Sequence, residues 1–284
     1  VFFILTKRKK KKEAIQVQVQ TVLKYNLEEK KEEITRPNST TLFGSFKVID
    51  SKERDISYLF SPKIRQLFLL LLFNSKQKDM NGITSEQIHT ALWPDSTTQK
   101  AQNLKNVTLN QLRNILKDID GLDVVFSHGH FFIEFGEEFY CDYFNFLTEL
   151  KPLKGDLLDE NSLTQLIQII KAGTFLQSNN DECFDKVKKD FEYEVLKLIP
   201  NQLKRLYKNK DYASVIPLTE ILFNIDSLNE TAFYYRIHSF LKMEMTFKAK
   251  KQFNYFIIEY NKLIGDHYPY TYKDVIKQIP DELK

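Results

Sequence analysis

Gln99, Asn103, Asn106 and Asn110 recur at the spacing of a single helix face, with Lys100 and Arg113 close by. A primary amide carries a donor and an acceptor side by side, the pattern that matches N7 and N6 of adenine, while a guanidinium matches guanine. On a wheel of about 100° per residue, Ala101, Leu104, Thr108, Leu112 and Leu116 gather on the other side, with Leu109 and Ile115 at its edges. Lys100 and Val107 flank the amides, and Asn114 and Lys117 continue their stripe. Taken alone, such a stripe reads better as a solvated helix face. What surrounds it turns the reading toward a nucleic-acid partner.

The elements that position this helix read as follows. Ser61-Pro62 supplies a cap and a first-turn proline, opening a helix whose Ile64–Phe73 stretch is apolar enough to be central and buried. Leu42–Ile49 and Ile56–Phe60 read as strands of a small sheet. Thr84 or Ser85, followed by Glu86 and Gln87, caps a short helix that ends at Leu92-Trp93-Pro94-Asp95. The amide helix follows, about 20 residues long, and then a hairpin of Leu122–Phe126 and Phe131–Phe135 joined through Ser127-His128-Gly129-His130. Helix, turn, longer helix and hairpin form the core of a winged helix, which offers a helix to the major groove and a hairpin to the adjoining backbone or minor groove.

Within that frame, Lys63 and Arg65 at the start of the buried helix are candidates for phosphate contacts, aided by backbone N–H groups there. His128 and His130 mark the wing tip. Mostly neutral near pH 7, they would hold a phosphate weakly. Their His-x-His spacing hints at a metal pair, but no further ligands recur suitably, so neither metal nor cofactor is expected. The loop Pro94–Thr98 reads by itself as a connector whose Thr97 or Thr98 caps the next helix.

The order of these landmarks resembles a known family. Leu42-Phe43-Gly44-Ser45-Phe46, Ser61–Leu67, Leu92-Trp93-Pro94-Asp95, Val107-Thr108-Leu109 and Leu112-Arg113 are similar to the OmpR-type winged-helix domain of SARP-type transcriptional activators. Cys141-Asp142-Tyr143-Phe144 resembles the junction where that family passes into its bacterial transcriptional activation domain, a bundle of TPR-like helical hairpins. Asp226–Glu230 before Ala232-Phe233, and the turn Gly265…Pro269, continue the likeness to about Ile279. The resemblance implies a mainly α fold with small β-sheets, double-stranded DNA as partner, and RNA polymerase contact through Asp95, Ser96 and Thr97.

Beyond Asp142 the pattern is helical almost throughout: Tyr143–Leu150, Ser162–Lys171, Cys183–Leu198, Gln202–Lys208, Tyr212–Phe223, Asn229–Lys242, Phe247–Leu263 and Tyr272–Ile279. Paired helices with short polar links suit helix-hairpin repeats. The aromatic set Phe233, Tyr234, Tyr235, Phe253, Tyr255, Phe256 and Tyr260 fits interhelix packing better than a ligand groove. The expected organisation is therefore a winged-helix domain over residues 42–141 and a helical domain over 142–284.

The first 41 residues differ. Val1–Leu5 is apolar and Lys7–Lys12 is an unbroken run of six cations. Residues 1–12 read as the end of a transmembrane helix with its cytoplasmic flank, as a solvated basic tail, or as a nucleic-acid contact. Residues 13–41 read as a juxtamembrane helix and linker, in which Glu13–Ile34 can pair two protomers and Arg36-Pro37-Asn38-Ser39 ends any helix. A cytoplasmic location, a homodimer and an inner-membrane anchor follow as expectations.

Bulk composition narrows the classes further. The 284 residues carry 42% hydrophobic and 13% aromatic residues, enough for two ordinary cores. Cys141 and Cys183 lack CxxC spacing, which disfavours a disulfide framework or zinc site and fits a reducing compartment. The eight glycines are scattered, and no GxSxG, HExxH or phosphate-loop motif occurs, so catalysis is not expected. Charge counts against tight DNA binding: Leu42–Leu150 holds 11 basic and 14 acidic residues. That balance keeps a second reading open, an interaction scaffold of the same architecture that does not bind DNA.

Overall fold

A computed structural model describes residues 36–75, 82–150, 158–177, 179 and 181–277. The expected membrane-proximal segments, Val1–Leu5, Lys7–Lys12 and Glu13–Ile34, lie outside the described residues. Among those described, no helix is long and apolar enough to cross a membrane.

The chain is mainly α-helical, with two small sheets among the described residues, a winged helix-turn-helix followed by an α-helical bundle. Strand β1 (Ser39–Thr41) pairs antiparallel with β2 (Lys47–Ile49) and parallel with β6 (Tyr140–Cys141). Helix α1 (Pro62–Ser75) begins at its proline, whose missing N–H costs nothing in the first turn. Every residue from Gln66 to Phe73 is buried, so α1 is the axis around which the rest packs. Strand β3 (Ile83–Thr84) leads into α2 (Ser85–Leu92) through a capping box: Thr84 Oγ1 accepts from the Gln87 N–H, and Gln87 Oε1 accepts from the Thr84 N–H. After the Trp93–Thr97 turn comes α3 (Thr98–Leu116), 19 residues long.

The wing pairs β4 (Leu122–Ser127) with β5 (His130–Phe135), and β3 adds to the other edge of β5. Its two-residue turn has φ +50° at His128 and +84° at Gly129, the double left-handed geometry that matches strand twist. No neighbour lies within 4 Å of where a Gly129 Cβ would sit, so backbone conformation alone selects glycine there.

The helical half comprises α4 (Asp142–Glu149), α5 (Glu160–Lys171), α6 (Asp185–Lys208), α7 (Tyr212–Ile225), α8 (Glu230–Lys242), α9 (Thr246–Ile264) and α10 (Tyr272–Lys277). Helices α6 to α9 pack successively, each on the next, and α10 returns to α8. Asp159, Asp211 and Asn229 cap α5, α7 and α8 by accepting the N–H three residues on.

Three expectations change. Only Lys47–Ile49 of the segment 42–49 is a strand, because the preceding backbone bonds elsewhere: Leu42 and Phe43 donate to the Asp142 carboxylate and Gly44 donates to the Thr174 carbonyl. Ile56–Phe60 holds a short 3-10 turn, Ser57–Leu59, rather than a strand. Helix α6 runs unbroken through Pro200 because Leu198, Ile199, Leu203 and Leu206 are buried around it, and that burial outweighs the lost hydrogen bond.

One hydrophobic core runs from Leu42 through α1, α3 and the wing into α4 to α8. At its centre Phe43 and Phe191 each contact the other and both Phe146 and Phe175, ring centroids 4.7–5.7 Å apart in tilted or edge-on pairs, and Phe43 bridges to Phe175 through the backbone. Gly44 sits at that crossing with φ +76°, and a Cβ there would lie 2.3 Å from the Ala172 carbonyl oxygen. The winged helix and the first helical hairpins therefore share an interior.

Candidate nucleic-acid interface

Helix α3 buries Ala101, Lys105, Thr108, Leu109, Leu112 and Leu116 and leaves Gln99, Lys100, Asn103, Asn106, Val107 and Asn110 exposed. The four amides thus share one outward face spanning about three turns. Val107, 56% exposed, stands beside them as an apolar side chain facing solvent. The described geometry brings these six groups together on a single rigid element.

The buried face is rotated from the expected one. Leu104 is only half-buried, and Lys105 is 2% exposed. Its ammonium donates to Ser85 Oγ at 2.7 Å and lies 5.0 Å from the centroid of the Phe131 ring. Burial lowers its pKa below the ordinary lysine value. Lys105 therefore ties α3 to the first turn of α2 and to the start of β5 beside the wing turn. Its helix position, four residues from both Ala101 and Leu109, was the signal that could have found it.

Arg113 is also engaged internally. It is half-buried, and its Nε and Nη2 donate to the Val124 carbonyl at 3.3 and 3.2 Å. Rather than reaching outward with the amides, it fastens β4 of the wing to α3. The outward face is left with Lys100 as its cation through the first three turns, since Lys105 is buried and Lys117 lies at the far end, bonded to Asn114.

Lys63 and Arg65 are drawn elsewhere. Lys63 Nζ donates to the Leu92 carbonyl at 2.6 Å and to Gln66 Oε1 at 3.0 Å, and the Gln66 amide in turn reaches Cys183 Sγ. Arg65 is half-buried over the Phe46 ring and borders a cleft with Gly44, Leu176 and Asn179. Lys63 thus joins α1 to the end of α2 within the winged helix, while Arg65 lies at the seam with the helical half, so in this structure both side chains are engaged internally and not grouped with the amides of α3. A cation stacked on an aromatic ring, or bonded to a helix end, gains more in place than it would free in solvent.

At the wing tip, Ser127 Oγ and His128 Nδ1 are 2.8 Å apart, and His130 Nδ1 lies 3.0 Å from the His128 carbonyl. A carbonyl only accepts, so that contact places a proton on His130 Nδ1. Phe126 is 55% exposed and pairs with Phe131, ring centroids 4.5 Å apart. In the α2–α3 turn Asp95 and Thr97 are exposed and Ser96 is half-buried. Thr97 precedes α3 without a side-chain cap bond, so the loop is not explained by capping. Trp93 packs against the core.

The fold is found elsewhere. EmbR of Mycobacterium tuberculosis, solved in complex with a low-affinity phosphopeptide, superposes with a TM-score of 0.55 at 15% identity, over 86% of this chain and 66% of that one. At this identity the likeness is one of fold, and the present chain spans about two thirds of that neighbour. No family model matches the chain, and no curated protein sequence matches it either.

Proposed function

We propose that the chain is a sequence-specific DNA-binding transcription regulator of SARP type. In this reading α3 enters the major groove, the wing lies against the flanking backbone, and the helical half relays a signal or contacts a partner. The domain division at residues 141 and 142 belongs to the proposal, as do promoter DNA and RNA polymerase as partners, the latter at Asp95, Ser96 and Thr97. So do a homodimer, a cytoplasmic location and tethering through residues 1–12. The observation that carries the reading is the outward face of α3, where Gln99, Asn103, Asn106 and Asn110 stand exposed on a helix held from behind by the core. His128 and His130 at the wing tip and Lys100 on α3 complete the contact surface.

The test is binding of the whole chain to duplex DNA across a salt series. Few cations face outward, so log K should fall with log salt at a shallow slope, roughly 0.9 per phosphate neutralised. A second reading, a partner-binding scaffold without DNA binding, is favoured by the 11-to-14 balance of basic and acidic residues in Leu42–Leu150. Failure to enrich any sequence from random duplexes at low salt would decide for the scaffold.

A further inference from the structure

We infer that the site read by α3 is A·T-rich, its adenines read by Asn103, Asn106 and Asn110 and a thymine methyl read by Val107. The inference rests on the DNA-binding reading and deepens it. Its basis is what the outward face contains and what it lacks. All three asparagines are exposed, and each presents a donor and an acceptor on a short, two-torsion side chain. That pair complements adenine N7 and N6, whereas guanine offers only acceptors in the major groove. An asparagine facing guanine would set its carbonyl oxygen against O6 or N7, leaving one group unpaired.

Two of the three cations on α3 that could read guanine are withdrawn, and the third, Lys100, lies ahead of the Asn103–Asn110 stretch. Arg113, the single arginine on α3, is fixed to the Val124 carbonyl by Nε and Nη2. Lys105 is buried behind the helix. Val107 supplies the complementary half: a 56% exposed branched side chain beside Asn103 and Asn106 has no packing role on this helix, and the thymine C5-methyl is the one apolar group on the groove floor. From Asn103 to Asn110 the helix rises by about 10 Å, close to the length of three base pairs. The readout therefore covers a run of about three A·T pairs.

Selection of the 284-residue chain on random duplexes at low salt should enrich a core of about three consecutive A·T pairs. In that core, Asn103→Ala or Asn106→Ala should lose roughly 5- to 150-fold of the preference for adenine over guanine at one position each. Replacing thymine by deoxyuridine, which lacks only the methyl, should weaken the parent chain a few-fold and leave Val107→Ala unaffected. Melting of each variant through Trp93 fluorescence establishes that it is folded; the substituted side chains face solvent. An enriched core rich in G·C, or asparagine variants with unchanged base preference, would overturn this inference while leaving DNA binding intact. Enrichment of no motif would overturn both.

Discussion

Two aromatic clusters hold the described residues together, and they differ in what they connect. The first joins Phe43, Phe146, Phe175 and Phe191 at the crossing of the N-terminal segment with the helical half, inside a core that also contains Leu109, Leu112 and Leu116 of α3. The second, near the C-terminal end, consists of Phe233, Ile237, Ala249, Phe253, Phe256, Tyr268 and Val275, with Phe233 and Phe256 stacked at 3.9 Å. Their chemistry is the same, but one is shared by elements more than a hundred residues apart and the other by three adjacent helices. A core shared in that way couples the stability of α3 to that of the bundle. A local cluster allows its hairpin to open by itself.

The largest expected effect breaks the first cluster. Phe146→Ala should cost about 3–5 kcal/mol, because a fully buried ring is removed from a packed interior. Trp93, the only tryptophan, packs on the first core and reports the winged helix, while far-UV circular dichroism is dominated by the bundle. In Phe146→Ala both signals should move to lower temperature together. Phe256→Ala removes a ring that is 1% exposed, yet it should lower only part of the helical signal and leave the Trp93 transition in place. Coincident shifts in the second variant would show that the two clusters melt as one.

Next in size is a pH effect confined to the first cluster. The Asp142 carboxylate accepts from the Leu42 and Phe43 N–H groups at 2.8–3.0 Å and pins the N-terminal segment to the first turn of α4. Burial pushes its pKa up to about 6, against the opposing pull of those N–H donors. Its unfolded value is near 4, so the folded state holds the proton more tightly. The stability from this group is therefore full below pH 4 and is lost as pH rises through about 6, a change on the order of 2–3 kcal/mol. Asp142→Asn should flatten that segment of the Trp93 stability profile and lower stability overall, since its NH2 then faces backbone donors. An unchanged slope in the variant would assign the pH dependence to other groups.

Much of this arrangement was legible because local signals agreed with the fold. Ser61-Pro62, the Thr84–Gln87 box and the His128-Gly129 turn each state a backbone geometry in two or three residues, and the structure contains all three. What was not legible depended on partners distant in sequence. Leu42–Phe46 looks like a strand until Asp142 and Thr174 take its N–H groups. Pro200 looks like a helix end until its neighbours are seen to be buried. Arg65 and Arg113 look like surface cations until Phe46 and the Val124 carbonyl are placed beside them. The exposure of the four amides was legible because it follows helix periodicity, whereas Arg113 turned inward and Lys105 took a buried position that Leu104 was expected to share.

Lys105 gives the smallest and most discriminating prediction. Lys105 lies at the edge of the first cluster, its stem packed in the core of the winged helix and its ammonium on Ser85 Oγ and the Phe131 ring. Lys105→Met keeps the length and packing of the stem and removes the charge. Ser85 is half-buried and retains access to water, so the hydroxyl is not stranded. Because a buried ammonium carries a desolvation penalty that offsets its contacts, the substitution should change stability by less than about 1.5 kcal/mol in either direction. Lys105→Ala, which also empties the volume of the stem, should cost about 2–4 kcal/mol. If packing is the role of Lys105, DNA affinity in the methionine variant should match the parent, with the same salt slope. A slope shallower by roughly 0.9 would mean that the ammonium reaches a phosphate and that α3 turns on binding DNA.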